Sequence, residues 1–262
     1  MCVRKPDDEI LTNVEKVNSL SQRYRVLGLP FLRGIIALPE TLYLGFKGLL
    51  FSANAVVEED GEKFSNKEFA VAIALALGIA ALFVVGPFLL LSLLGITAGI
   101  LFNVLEAGIR LTLFVAYLAA VSSWGEFRRV LQYHGAEHKA INALEAGAPL
   151  DVANVKLYSR LHPRCGTSFI FIIILVSIVL FSVMPNLGFV ERLAYRLLLI
   201  PVIAAISYEL LRLSGKYRNS IVTRVLTFPG VAFQHLTTKE PSEDMIEVAI
   251  RAVQETNKLN IS

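Results

Sequence analysis

Cysteine is scarce in this chain of 262 residues, which holds only Cys2 and Cys165. Two cysteines so far apart exclude a disulfide framework, and a reducing compartment is the simpler setting. Charge is also thin. Asp, Glu, Lys and Arg make up 18% of the residues, and the net charge is only +3. A soluble domain carries about a quarter charged residues. The mild basic excess reads as topology information, and no basic run interleaved with aromatics points to nucleic acid. No cleavable leader is visible, because the N-terminus is polar and charged. There is no internal repeat and no low-complexity tract. Histidine is limited to four residues, so two of them close together carry weight.

Apolar sequence is abundant. Hydrophobic residues reach 55%, and the mean hydropathy is +0.59. Soluble chains sit near 45–50% apolar, so this is an integral membrane protein with substantial polar segments. Four apolar runs are long enough to span a bilayer, over 69–95, 98–121, 168–184 and 193–211. The turns between paired runs, 92–97 and 185–192, hold only Arg192. Lys and Arg are dense in the first 50 residues, in 128–164 and in 212–224. The positive-inside rule then puts both termini and the segment 122–167 in the cytoplasm.

The flanking segments have recognisable patterns. Residues 3–17 read as strand, Pro-Asp-Asp turn and strand, a small hairpin. Residues 30–56 are amphipathic. Arg33, Glu40 and Lys47 recur every seven residues and share one face, as in a helix lying in the membrane interface. A charged linker covers 57–68. Residues 220–236 are apolar but contain Pro229-Gly230, which suggests a broken interfacial or re-entrant piece. Residues 241–257 read as an amphipathic helix with Met245, Ile246, Ala249, Ile250, Ala252 and Val253 on its apolar side.

The segment between the second and third runs carries the chemistry. His134-Gly135-Ala136-Glu137-His138 is H-x-x-E-H, the inverted zinc-protease pattern. At 100° per residue, His138 lies about 40° round from His134 and Glu137 about 60° to the other side. All three share one helix face. Two imidazoles about 6 Å apart along the axis can hold one divalent metal, most simply zinc, and the carboxylate can reach its water as general base. The helix should run to about Glu145 and break at Gly147-Ala148-Pro149. Asp151 should cap a short helix over 152–160. Then come His162 and Cys165, an H-x-x-C pair that can add ligands.

Two metal arrangements compete. If His134, His138, His162 and Cys165 all ligate, the set is closed, as in structural sites. If one position stays open for water, Glu137 can act as a catalytic base. The third ligand is then His162, Cys165 or a distant carboxylate. Glu209 fits that last role by analogy with inverted zinc proteases, which draw a Glu from well downstream. Glu145, seven residues after His138, is too far along the axis for direct ligation and reads as a solvated position. His235 reads as a surface histidine. Within the second apolar run, Glu106 and Arg110 are spaced i,i+4 and should pair facing protein rather than lipid.

Three motifs together resemble the YqhQ-type family of uncharacterised bacterial membrane proteins, predicted metal-dependent enzymes. They are Tyr133-His134-Gly135-Ala136-Glu137-His138-Lys139, the stretch Ser159-Arg160-Leu161-His162-Pro163-Arg164-Cys165-Gly166-Thr167-Ser168, and Gln234-His235-Leu236-Thr237-Thr238-Lys239-Glu240-Pro241. The likeness runs from Val3-Arg4-Lys5-Pro6-Asp7 to Glu247-Val248-Ala249-Ile250. It implies metal dependence and supplies neither substrate nor reaction. Members of that family carry a Gly-rich segment before the Val-Arg-x-Pro-Asp element, whereas here Met1-Cys2 stands directly before Val3. A misplaced gene start or a shortened member would explain this.

The expected architecture is an all-α membrane protein of about four transmembrane helices with interfacial amphipathic helices and a small N-terminal β-hairpin. Its segments are 1–68 (cytoplasmic or interfacial), 69–121 (two spans), 122–167 (metal motif), 168–211 (two spans) and 212–262 (cytoplasmic or interfacial). Metal-assisted hydrolysis at the cytoplasmic membrane surface is the leading function, with membrane lipids and an unidentified substrate or protein as partners. A scaffold with a structural zinc site is the alternative. A transporter using Glu106, Arg110 and Glu209 is a weaker one.

Overall fold

The computed structural model describes residues 1–57, 66–96, 99–183, 187–217 and 220–261. The charged linker and the two turns expected at 92–97 and 185–188 therefore lie partly outside the described residues. A two-stranded antiparallel hairpin, β1 (Cys2–Arg4) and β2 (Ile10–Thr12), pairs Val3 with Leu11. The rest is helical: α1 (Leu20–Arg23), α2 (Leu32–Val57), α3 (Asn66–Leu93), α4 (Ile100–Ser123), α5 (Gly125–Glu145), α6 (Val152–Val155), α7 (Gly166–Ser182), α8 (Phe189–Lys216), α9 (Ile221–Thr237) and α10 (Glu243–Ile261). The chain is an all-α membrane protein with a small hairpin.

Four helices are long and apolar enough to cross a membrane: Leu32–Ala55, Ala70–Leu93, Ile100–Ser123 and Phe189–Lys216. Leucines 82, 93, 101 and 198 point outward on three of them. Apolar exposure on this scale is unsuited to water and suits lipid. The set differs from the sequence expectation in two places. Helix α7 has only 17 residues, about 26 Å of rise, at the lower limit for a span. Helix α2 meets the length and hydropathy criteria although its charges suggested an interfacial helix.

The charged stripe of α2 is fully used. Arg33 forms a bidentate pair with Glu209 of α8, Glu40 accepts from the Ser19 hydroxyl and the Leu20 amide, and Lys47 pairs with Glu15. The polar N-terminal segment therefore runs alongside α2. Such a segment keeps its backbone solvated only outside hydrocarbon, which favours an interfacial position for α2.

Inside the apolar helices, Glu106 and Arg110 pair at 2.7 Å as expected. A third partner was not expected: Arg196 of α8 also binds Glu106. Glu106 and Arg196 are 1% and 4% exposed, so each needs the other's charge. The Arg196 guanidinium also lies 4.7 Å from the ring centres of both Phe88 and Phe181, where ring faces attract a cation. Arg110 has a further task. Pro87 inside α3 has no N–H to give the Phe83 carbonyl. Arg110 Nε donates to that carbonyl at 3.2 Å, and Nη2 donates to Val84 O at 3.0 Å. A carbonyl left bare in hydrocarbon would cost several kcal/mol.

Beyond the spans, α5 and α10 form a compact unit. Ala136, Ala140 and Ala143 are wholly buried, and their small size lets Met245, Ile246, Ile250 and Val253 approach closely. The apolar stripe of α10 thus packs on protein. The hairpin docks on the same helix, with Arg4 on Glu247 at 2.6 Å. Helix α9 is continuous through Pro229-Gly230, so the expected break is corrected. Gly230 serves a crossing instead: a Cβ there would sit 2.5 Å from Ser168 Cα in α7.

Candidate metal centre

Helix α5 carries His134, Glu137 and His138 and stops where the sequence requires. Gly147 takes φ +68°, and the Ala148 amide returns to Ala143 O at 3.0 Å, a Schellman termination. Asp151 caps α6 through the Asn154 amide at 2.9 Å. That helix ends at Val155 rather than near 160. The reason is local competition for carbonyls. Lys139 takes Lys156 O and Tyr158 O, while Asn142 takes Ser159 O and Leu161 O. Residues 156–161 are therefore laid along α5, which delivers Cys165 to the histidines at the start of α7.

His134, His138 and Cys165 come together, with their ligand atoms all within 4.8 Å of one another. His134 Nε2 lies 3.2 Å from Cys165 Sγ. The two imidazole centres are 4.4 Å apart. Ligand atoms around one tetrahedral zinc lie roughly 3.5 Å apart, so the cluster needs little contraction to hold a cation.

The orientation of both rings is fixed from behind. His134 Nδ1 meets Thr237 O at 2.9 Å, and His138 Nδ1 meets Arg160 O at 2.7 Å. A carbonyl can only accept, so both Nδ1 atoms carry hydrogen. In the neutral rings Nε2 is then the free lone pair, aimed at Cys165. Metal-binding histidines are held by this arrangement. The donor set of two imidazoles and one thiolate fits zinc.

Electrostatics favour the ligand form of the cysteine. Burial alone pushes the Cys165 thiol up, but hydrogen bonds with His134, His138 and Thr167, and the charge on His134, bring it down to about 5. Burial pushes the His134 imidazolium down. The Cys165 thiolate, the Thr237 carbonyl and the charge of Glu137 outweigh this, and its pKa is raised.

The other expected site residues lie elsewhere. The ring of His162 is 5.8 Å from that of His138, with its nitrogens otherwise engaged. Nδ1 accepts from the Arg164 amide at 3.3 Å, and Nε2 is 3.3 Å from Glu145. Glu145 is not simply solvated, because Arg164 binds it as well. Glu209 is bound to Arg33 on α2 and is absent from the cluster. Glu106 and Arg110 belong to the intramembrane ion cluster. His235 is exposed.

Glu137 is exposed and lines a cavity of about 530 Å³ between α5 and α10, together with His134. Tyr133, Ile141, Val248 and Val253 supply much of its apolar wall. Of the three clustered residues His134 borders this cavity, while His138 and Cys165 are buried behind it.

Residues that position the site were not singled out from the sequence. Gln234 is wholly buried; it accepts from the His162 amide and donates to the His162 carbonyl, both at 2.7 Å. Arg160 donates to the Thr238 carbonyl and, at 3.0 Å, to the Thr238 hydroxyl. Lys239 N donates to Leu131 O at 2.9 Å. The signal was the motif Gln234-His235-Leu236-Thr237-Thr238, whose polar residues are too many for a simple apolar helix end.

The chain is similar to two things already catalogued. The family described as "Protein of unknown function (DUF1385)" matches residues 29–259. The uncharacterized protein YqhQ of Bacillus subtilis (strain 168) is 35% identical over 247 residues, covering 88% of this chain and 78% of that one. No solved structure matches. The match takes in α2 to α10, and with them the cluster and the segments that orient it, so the chain belongs to the DUF1385 family, of which YqhQ is a relative.

Proposed function

We propose that this protein is a metal-dependent hydrolase of the bacterial plasma membrane, working at the cytoplasmic surface. His134, His138 and Cys165 would hold a divalent cation, zinc by the chemistry of the donor set. The observation that carries the reading is the pair of Nδ1–carbonyl hydrogen bonds, which leaves both Nε2 atoms facing the thiol. Such a cation, when bound, would supply Lewis acidity to polarise a water or a carbonyl. Glu137 would accept a proton from the attacking water and return it to the leaving group. The thiolate character of Cys165 supplies a ligand at neutral pH without the full cost of ionising an ordinary thiol. The cytoplasmic assignment rests on the Lys and Arg asymmetry and on a free, reduced Cys165.

The closed, purely structural arrangement draws less support, because His162 is engaged with Glu145 and the Arg164 amide. A transport role draws less still, since Glu106 is neutralised by two arginines that also brace the helices.

The test is metal content. Protein purified from metal-supplemented cells should carry about one zinc per chain by elemental analysis. Cobalt substitution should give a thiolate-to-metal absorption band that Cys165→Ser abolishes. A protein that stays metal-free, or a cobalt band that survives Cys165→Ser, would exclude the site.

A further inference from the structure

A cavity of about 710 Å³, separate from the His134–His138–Cys165 cluster, lies at the C-terminal end of α8. Its wall carries Arg33 from α2, Arg164 from the segment before α7, and Tyr208, Glu209, Arg212 and Lys216 from α8. Three separate parts of the chain therefore bring four cations to one hollow. Glu209 answers Arg33, and Glu145 answers Arg164. Among the described residues, no carboxylate answers Arg212 or Lys216. The excess of two positive charges is not scattered on a convex surface. Arg164 is pressed against α8, where a Cβ on Gly215 would come within 2.7 Å of its Cδ.

The position of the hollow narrows the ligand. The hollow sits at the C-terminal end of the apolar, membrane-length helix α8, beside Arg164 just ahead of α7, which pairs with Glu145 at the end of α5. Exposed apolar residues border the basic wall: Phe31 and Leu32 at the start of α2, and Leu213 and Tyr217 at the end of α8. A basic hollow with an apolar rim at a membrane surface matches an amphiphile with an anionic phosphate head and hydrocarbon tails.

We propose that this hollow is a binding site for the phosphate headgroup of an anionic membrane lipid, with Arg212 and Lys216 as the charged contacts and the apolar rim against the acyl chains. The site is separate from the metal cluster, and the proposal stands whether or not a metal binds there. The shared chemistry is a phosphate ester, and its two sources are a lipid and a soluble phosphate.

Binding can be read on the full-length protein in nonionic detergent, by native mass spectrometry and by ligand-dependent thermal shift. Phosphatidylglycerol should bind saturably and about tenfold more tightly than phosphatidylcholine. Arg212→Gln/Lys216→Gln should bring that preference close to unity, a loss of about tenfold or ~1.4 kcal/mol. Arg128→Gln/Arg129→Gln, which removes two cations from α5, should keep it. Lys216→Gln alone, at an exposed helix end, gives a milder loss should the double variant fold poorly. Equal losses in the pocket and α5 variants, or no preference for the anionic lipid, would overturn the site. Inorganic phosphate or glycerol 3-phosphate binding as tightly as phosphatidylglycerol would overturn the lipid as its occupant.

Discussion

Gly135 lies inside α5, where alanine would ordinarily be preferred by about 1 kcal/mol. The packing should reverse that sign. A Cβ on Gly135 would sit 2.2 Å from the Lys239 carbonyl oxygen, and ordinary contact begins near 3.4 Å. The obstacle is backbone and cannot rotate away. It is fastened to α5 on both sides, by Lys239 N to Leu131 O at 2.9 Å and by Gln132 to Glu240 O at 3.0 Å. Gly135→Ala must therefore push residues 237–241 outward. Overpacking of this kind costs about 1–3 kcal/mol, and each hydrogen bond lost adds about 1 kcal/mol. The net expectation is a destabilisation of about 1–3 kcal/mol despite the better helix propensity. At about 2–4 °C per kcal/mol, the melting temperature should fall by several degrees.

The same displacement reaches the His134–His138–Cys165 cluster, the proposed metal site. Thr237 O holds His134 Nδ1 at 2.9 Å, and loss of such an orienting partner typically costs 10–100-fold in metal affinity. Thermal unfolding and competition with a chelator measure the two effects separately. Gly45→Ala is the control, since nothing lies within 4 Å of its Cβ position on exposed α2. It should be neutral or stabilising by up to about 1 kcal/mol. A Gly135→Ala protein with wild-type melting temperature and wild-type metal affinity would refute the packing argument.

Four further outcomes are expected. Glu137→Gln should keep fold and metal but abolish function in cells; retained function with metal bound would remove Glu137 as the base. Arg110→Leu should destabilise the protein, and Pro87→Ala should recover part of the loss by giving Phe83 O its own amide, with a coupling of about 1–2 kcal/mol; strict additivity in the double-mutant cycle would contradict it. In metal-free Cys2→Ser protein, the ultraviolet absorbance of the Cys165 thiolate should titrate near 5 instead of at the ordinary 9.0. Because that folded value is depressed, ionised Cys165 contributes its full stabilisation above about pH 9 and loses it as pH falls toward 5; a midpoint at the ordinary value would exclude the thiolate pairing. A cysteine introduced at Asn186 should react with an impermeant reagent added outside cells, and one in 140–160 should not; the reverse pattern would invert the topology.

Local features were legible in the sequence. The i,i+4 histidines, the Gly147 stop, the Asp151 cap and the heptad of charges on α2 all depend on neighbours within a turn or two. Glu106 and Arg110 were legible for the same reason. Arg196 was not, because its partner lies 90 residues away and its own helix gives no clue to it. The premature end of α6 was hidden similarly, since Lys139 and Asn142 take its carbonyls from another helix. Pro229-Gly230 was misleading: a Pro-Gly pair usually interrupts a helix, but here glycine is required for the approach to Ser168. The choice between His162 and Cys165 could not be read from spacing alone. In the structure Gln234 grips the His162 backbone, Glu145 and the Arg164 amide meet its ring, and Cys165 lies beside His134.

The cluster is therefore a product of long-range assembly more than of its motif. His134 is aligned by the carbonyl of the last residue of α9, and His138 by a carbonyl in the segment before α7. Cys165 is the residue that opens α7, and α7 is fixed against α9 by the contact of Ser168 with Gly230. Each of the three side chains thus depends on a different tertiary contact. A change at any of these contacts should register in the geometry of the His134–His138–Cys165 cluster before it registers as global unfolding, because an orienting hydrogen bond is lost by a displacement of about an ångström that a hydrophobic core tolerates. Glu137 is placed differently: it stands exposed on the cavity side, and among the described residues no hydrogen bond of this kind holds its carboxylate.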